Sequence, residues 1–525
     1  MLSLQKRGKG ESMDLDALIK ITDTIDTYMY TYFLVFLLIA AGVYFTIRTK
    51  GVQFTHIKDM FAAMTEKKHT PGKKSVSSFQ AMMVSTASRV GTGNIAGVAT
   101  AIAVGGPGAV FWMWIMALIN GASAFVESTL AQIWKVNAGN GEFRGGPAYY
   151  IEQALHSRGL GIAFAISLIL CFALGFNGLQ SYNMSSSIVY YVPNWTETSG
   201  PFVLGLLLAV VLAFVLFGGT HRISFMTSII VPLMAGVYLL LALVLTILNI
   251  TELPAVIGMI VTEAFNPASL AGGFAGSMIV QGIKRGLFSN EAGMGSAPNA
   301  AASASVSHPV KQGMVQVVSV FLDTMVICTC SAVMIMFFVH DNVGTIAWGG
   351  AVEGVAISNM ALVQAAMLDG FGELGIHFMT FAIFCFAFSS LVGNYFYAEQ
   401  NLRFMTANVS HNTGKWILFG FRILCCVVVF LGAQSNLVLA WNLADIFMGI
   451  EAFINIAVIL ILGKWAFAAL DDYEAQKRLG LDPVFMADSV PGMPATECWH
   501  ETREELASAT LEAQIQHDAY KAKMG

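Results

Sequence analysis

Two polar, glycine-rich stretches interrupt apolar runs in this sequence, and both carry groups suited to binding a small ion or a zwitterion. The first reads Ser85-Thr86-Ala87-Ser88-Arg89-Val90-Gly91-Thr92-Gly93-Asn94. The second reads Gly272-Gly273-Phe274-Ala275-Gly276-Ser277, then Gln281-Gly282, and continues through Lys284-Arg285-Gly286 to Asn290-Glu291-Ala292-Gly293. A glycine inside a helix costs about 1 kcal/mol relative to alanine and lets the backbone leave helical geometry. In hydrocarbon such a break survives only beside protein or a watery cavity. Freed carbonyls there can coordinate a cation, and amides at a half-helix N-terminus can hold a carboxylate. Close helix packing is the competing reading, and Gly93-x-x-x-Gly97 and Gly272-x-x-x-Gly276 both fit it.

The elements that must position these stretches are membrane helices. Of 525 residues, 56% are hydrophobic and only 12% are charged, roughly half the charge of an average soluble domain. So little charge cannot clothe a soluble protein of this length, and a net charge of −5 argues against a cationic nucleic-acid binder. Cys171, Cys385, Cys425 and Cys426 lie within apolar runs and imply no disulfide framework. Runs of about 20 apolar residues, the length that crosses a bilayer, lie near 28–47, 77–104, 109–134, 161–188, 202–217, 225–248, 270–286, 312–339, 374–398, 415–431 and 437–463. That is eleven candidate spans. Residues 1–27 lack the apolar core and cleavage site of a secretory signal peptide. Lysine and arginine cluster in alternate connections, including Lys284, Arg285 and Lys311, whereas 191–201, 249–267, 340–373 and 432–440 contain none. The positive-inside rule then places the N-terminus outside and the C-terminus in the cytoplasm. The second span opens one group of five and the seventh opens another of opposite orientation. Interrupted segments at matching positions of two inverted halves point to the binding site of a secondary transporter.

The same stretches resemble the sodium:alanine symporter family, the alanine or glycine:cation symporters. The resemblance rests on Val90-Gly91-Thr92-Gly93-Asn94-Ile95-Ala96-Gly97-Val98-Ala99, on Gly105-Gly106-Pro107-Gly108-Ala109-Val110-Phe111-Trp112-Met113-Trp114 and on Gly145-Gly146-Pro147-Ala148-Tyr149-Tyr150. It extends to residues 284–298, from Lys284 to Pro298, and to Trp441-Asn442-Leu443-Ala444-Asp445. It implies an all-α membrane protein with a leucine-transporter-like fold: two inverted five-helix repeats preceded by one extra transmembrane helix. The expected division is an extracytoplasmic segment at 1–27, the extra helix at 28–47, a basic cytoplasmic loop at 48–76, repeats at 77–250 and 251–465, and a cytoplasmic tail at 466–525. It also implies sodium-driven uptake of alanine, glycine or similar small amino acids across a prokaryotic inner (plasma) membrane, with sodium as the coupling ion and no enzymatic activity.

For sodium, a hard cation that prefers oxygen, the resemblance implies the carbonyls of Ala87, Val90 and Phe386 with the hydroxyls of Ser389 and Ser390. The serine pair supplies two oxygens without an uncompensated charge, though such hydroxyls often bond instead to a carbonyl one turn back. For the substrate, Thr92, Gly93 and Asn94 are placed to offer donors to a carboxylate. Phe176 and Gln180 stand four residues apart on one helical face, and Gln180 resembles a family position that faces the substrate. Gln281 and Gly282, beside the second break, would complete the pocket. Where many relatives carry a Gly-Trp-Ser-Tyr-Tyr-Gly stretch, this chain reads Gly393-Asn394-Tyr395-Phe396-Tyr397-Ala398. Asn394 in place of a tryptophan changes pocket volume and polarity together, which keeps serine open as a substrate.

Ionisable residues within spans usually face protein or water; here they are Arg89, Glu127, Glu291, Asp323 and Asp445. Arg89 is expected to pair with an acidic partner, and Glu127 and Asp445 to be structural. An enzyme reading has little support, since Gly97 falls one residue late for Gly-x-Gly-x-x-Gly and Cys328-x-Cys330 has the wrong spacing for zinc. An ion channel is the alternative, because broken helices also build selectivity filters; proton coupling is a further alternative.

Overall fold

The computed structural model describes residues 9–66, 68–69, 75–139, 141–192, 194–218, 220–266, 278–342, 346–347, 351–352, 355–356, 359–486, 488 and 490–499. Among these, seven helices are long and apolar enough to cross a membrane: α1 (Ala17–Arg48), α4 (Gly108–Ile133), α5 (Arg158–Ser186), α10 (Pro309–Asp341), α11 (Met360–Met405), α12 (His411–Gly432) and α13 (Leu437–Arg478). An eighth is added if α7 (Thr220–Leu248) and α8 (Leu253–Ala264), which meet at a 104° bend, form one broken span. The chain is a helical membrane protein. Shorter pieces make up the rest: α2 (Ser78–Arg89), α3 (Ala96–Gly105), α6 (Gly200–Leu216) and α9 (Met278–Asn290).

The first interruption falls where the glycines predict it. A capping box starts α2: Ser77 Oγ accepts from the Gln80 N–H, and Gln80 Oε1 accepts from the Ser77 N–H. Helix α2 stops at Arg89, Gly91 is extended, and a single tight turn at Thr92–Asn94 leads into α3. Both pieces lie inside the protein, as an interrupted backbone in a bilayer must.

Of the second glycine-rich stretch, the part from Met278 onward is described, and its last residues, from Glu291, do interrupt a helix. Residues 267–277, which include Gly272–Ser277, lie outside the described residues. Gln281 and Gly282 sit within continuous helix α9. The chain leaves helical geometry at Glu291, Gly293 and Gly295, whose φ values of 55°, 91° and 86° are left-handed, and re-forms a short helix at Pro298–Ala301. Gly282 serves packing instead: a Cβ there would meet the Ala109 carbonyl oxygen, with the Trp112 Cβ 2.6 Å away.

Helices α9 and α10 both pack along α4, while α5 packs on α11 and α13. Three of the long helices carry wide π-type turns, at Tyr30–Leu34 in α1, Ile169–Phe176 in α5 and Phe321–Cys328 in α10. Such turns recur at functional sites because they re-aim side chains, and those in α5 and α10 each precede or contain a group described below. Helix α11 is bent at Gly372, where φ is 63° and ψ −155°, so its second half can lie against α2.

The tail expected from 466 onward is only partly separate. Helix α13 runs through to Arg478, and the irregular segment after it docks back on the protein. Phe485 is fully buried and its N–H donates to the Ser307 carbonyl at 2.9 Å. Trp499 Nε1 donates to the Gln132 carbonyl at 2.9 Å, and Lys135 Nζ lies 4.7 Å from the Trp499 ring. Trp499→Ala is expected to destabilise the protein by about 1–2 kcal/mol, below the range for a fully enclosed ring, because part of this one meets solvent. Thermal unfolding in detergent measures this, and an unchanged midpoint would show the docking to be energetically idle.

Candidate substrate and cation site

The turn at Thr92–Asn94 is held by side chains from three helices. The Gly91 N–H donates to Asn94 Oδ1 at 2.9 Å, and the Thr92 N–H donates to Gln180 Oε1 at 3.0 Å. Asn183 Nδ2 donates to Thr92 Oγ1 at 2.9 Å. Asn94 Nδ2 donates to Asp323 Oδ1 at 2.6 Å and to Ser289 Oγ at 3.1 Å. Gly93 faces the Phe288 ring so closely that a Cβ would lie 2.6 Å from it. The Phe288 ring centroid is 4.5 Å from that of Phe176 and 5.2 Å from that of Trp441. Thr92, Gly93, Asn94, Phe176 and Gln180 are therefore brought together around one centre.

Two amide oxygens, those of Gln180 and Asn94, occupy the backbone donors of Thr92 and Gly91. These N–H groups are the kind a substrate carboxylate requires, and the amides hold them satisfied in its place.

On the other side of the break, the Ser390 hydroxyl lies 3.1 Å from the Ala87 carbonyl oxygen and 3.3 Å from that of Val90. One hydroxyl proton cannot fully satisfy two carbonyls, so three oxygens converge here with a surplus of lone pairs. Gly91 makes this approach possible, since a Cβ at that position would collide with Ser390 Oγ. The Ser389 hydroxyl donates to the Phe386 carbonyl at 2.8 Å, the local bond that helical hydroxyls often make. All five predicted sodium ligands thus lie on two facing segments, with Ser390, Ala87 and Val90 in direct contact.

Three expected substrate residues lie elsewhere. Gln281 lines a separate cavity of about 270 Å3, shared with Asp26, Lys284, Arg285, Trp441 and Asp445. Gly282 packs on α4. Asn394 is fully buried beneath the break, where its Oδ1 accepts from Ser88 Oγ at 2.7 Å and its Nδ2 donates to Asn177 Oδ1 at 3.0 Å. The first two sit within continuous helix α9, ahead of the break at Glu291. Asn394 follows Gly393, whose bare backbone rests on Ser88, so its side chain is directed at the end of α2.

The charged residues within spans also differ from expectation. Lys284 and Arg285 were expected in a cytoplasmic connection; they are buried in α9, which continues past them to Asn290. Lys284 pairs with Asp26 of α1 and, at 2.8 Å, with Asp445 of α13; Arg285 meets the same Asp445 oxygen at 2.6 Å. Arg89 forms no ion pair among the described residues and bonds through Nη1 to Gln316 Oε1 at 3.2 Å. Glu127 is structural as expected: it accepts from the N–H groups of Gly293 and Gly295 at 3.3 and 3.1 Å and from Asn455 Nδ2 at 2.8 Å, fixing the second break. Sequence reasoning gave no site role to Asn183, Phe288 or Ser289, although the last two lie inside the 284–298 stretch that carries the family resemblance.

Comparison with known proteins identifies the family. The model of the sodium:alanine symporter family matches residues 15–487. An amino-acid carrier protein, AlsT, of Bacillus subtilis is 45% identical, over 90% of this chain and 96% of its own length. A probable sodium/glutamine symporter of the same organism, GlnT, is 43% identical over 90% and 94%. A sodium/proton-dependent alanine carrier protein of Bacillus sp. (strain PS3) is 37% identical over 82% and 96%. The crystal structure of MhsT in complex with L-phenylalanine superposes with a TM-score of 0.52 at 14% identity, over 84% of this chain and 97% of that one, and so shows a shared, leucine-transporter-like fold. Two interrupted helices, a convergence of hydroxyl and carbonyl oxygens, and a match across nearly the whole length lead to one assignment: the chain belongs to the sodium:alanine symporter family.

Proposed function

We propose that this protein imports alanine, and glycine with it, by coupling uptake to sodium through alternating access. The observation that carries the reading is the Ser390 hydroxyl seated against the carbonyls of Ala87 and Val90, one residue from the donors that hold the substrate. Sodium takes those three oxygens, joined by the Phe386 carbonyl and Ser389. The substrate carboxylate displaces Gln180 and Asn94 from the Thr92 and Gly91 N–H groups, and the freed Gln180 oxygen accepts from the substrate ammonium. Phe176 and Phe288 limit the side chain to a small one. Eleven spans in two inverted repeats, with α1 as the extra helix, a cytoplasmic C-terminus and residence in a prokaryotic plasma membrane, complete this reading. The relatives named for alanine and for sodium support the choice of solute and ion, and the relative named for glutamine makes glutamine the competitor to include.

The test is uptake of labelled alanine into liposomes bearing the purified protein. With sodium outside, alanine accumulates; with potassium or choline in its place and no pH gradient, it equilibrates. Equal accumulation under both conditions would remove sodium coupling. Competition with unlabelled glycine, serine and glutamine then orders the substrates, and glycine is expected to compete best.

A further inference from the structure

Glu291 is the first residue of the second break, and its left-handed backbone places its carboxyl between the two interrupted helices. Oε1 lies 2.8 Å from Ser88 Oγ at the end of α2, and Oε2 lies 2.7 Å from Ser296 Oγ across its own break. The residue is 1% exposed and forms no ion pair among the described residues. The chain of contacts continues from Ser88 Oγ to Asn394 Oδ1, and from Asn394 Nδ2 to Asn177 Oδ1.

A hydroxyl has one proton, yet Ser88 Oγ faces two acceptor oxygens. Two proton arrangements resolve this. In one, Glu291 is neutral: its Oε1–H donates to Ser88, Ser88 to Asn394 and Asn394 to Asn177, leaving Asn177 Nδ2 without a partner, as it is here. In the other, Glu291 is ionised and accepts from Ser88, and both amide groups are turned about, since amide oxygen and nitrogen are told apart only by their bonds. Asn177 Nδ2 then donates to Asn394 Oδ1, and Asn394 Nδ2 to Ser88. The heavy atoms stand in the same places, and the two arrangements differ by one proton on Glu291.

Arg89 supplies the second, independent observation. It is 2% exposed and directly follows Ser88, and its Nε and Nη2 have no hydrogen-bond partner among the described residues. A buried guanidinium with two idle donors, within electrostatic reach of Glu291 but not paired with it here, is a counter-charge that an ionised Glu291 could take up directly. The other titratable groups within electrostatic reach are Asp323 of α10, Glu127 of α4, Tyr397 of α11, Cys171 of α5 and Glu451 of α13. Glu127 and Asp323 are surrounded by donors. Glu451 lies against Cys171 of α5 and makes no hydrogen bond to Ser88, Ser296 or Asn394 among the described residues.

We infer that Glu291 is a proton-binding site that couples protonation to the position of the two broken helices. The neutral carboxyl clasps α2 through Ser88 and its own break through Ser296. When the end of α2 moves so that Arg89 reaches the carboxylate, the Oε1 proton passes to water admitted by that movement, and the ion pair replaces the hydroxyl chain. This rests on the transport reading above, and its test separates the two.

The first measurement needs no transport: the infrared spectrum of the purified protein across pH. A neutral carboxylic acid C=O band that titrates in the parent protein is expected to be absent in Glu291→Gln and retained in Glu451→Gln. Ser88→Ala is expected to keep the band and shift its frequency, because the proton has lost its acceptor; this variant serves if Glu291→Gln fails to fold. The second measurement is alanine accumulation in liposomes with equal sodium on both sides, a clamped potential and the inside alkaline by one pH unit. One proton per alanine gives roughly tenfold accumulation at that gradient. The parent protein is expected to reach it and Glu291→Gln to show none. A band that survives Glu291→Gln unchanged, or undiminished proton-driven accumulation in that variant, overturns the assignment. Parent protein that moves no alanine would defeat the transport reading and leave the infrared result standing.

Discussion

Ser390→Ala is expected to raise the sodium concentration for half-maximal alanine uptake roughly tenfold to a hundredfold. The basis is the worth of a contact to a charged group, about 1.5–3 kcal/mol, at 1.4 kcal/mol for each factor of ten. Ser390 is the only side chain that bridges α11 to both freed carbonyls of the first break, those of Ala87 and Val90, among the described residues. Ser389→Ala is expected to have the smaller effect, because its hydroxyl is already committed to Phe386. Uptake measured against sodium at saturating alanine reads both variants. Equal sodium dependence in Ser390→Ala and the parent protein would take the ion away from this place.

Asp445→Asn is expected to cost about 3–5 kcal/mol of stability, the penalty of leaving a buried charge without its partner. One oxygen of Asp445 serves both Lys284 and Arg285, so its loss strands Arg285 against the Trp441 ring, 4.2 Å away, with no anion. Asp26→Asn is expected to cost less, because Lys284 keeps Asp445. Thermal unfolding in detergent micelles should rank parent above Asp26→Asn above Asp445→Asn; the reverse order would mean that α1, not α13, carries the cluster.

These residues show what the sequence made legible. Gly91 and Gly93 mark the first break because their neighbours are polar and their flanks apolar, so a helix could not continue there unnoticed. Gln281 and Gly282 were set beside the second break because glycine density was taken as the signal. Gly282 gives way to a neighbouring backbone, whereas the interruption uses Glu291, a residue type with no turn preference that is held left-handed by its contacts. Lys284 and Arg285 looked like loop residues because a lone sequence does not reveal that two aspartates lie 258 and 160 positions away in chain and within bonding distance in space. Phe176 and Gln180 were placed at the first break by helical spacing together with the family resemblance, and both do lie against it. Asn394 was assigned to the pocket from a departure in the family pattern, but the pattern does not encode that Gly393 turns this face of α11 toward Ser88.

The docking of the chain's last described segment has a consequence for biosynthesis. Trp499 fills a seat on Gln132, a residue made 367 positions earlier, and Phe485 completes the turn at Ser307. Ribosomes deliver all the membrane-crossing helices before either aromatic emerges, so insertion finishes while the ends of α4 and the approach to α10 are still uncovered. A premature stop after Arg478 would therefore yield a fully inserted protein with two open hydrophobic seats on one face. Such a product passes the membrane-insertion step and then presents the surface that quality-control proteases recognise.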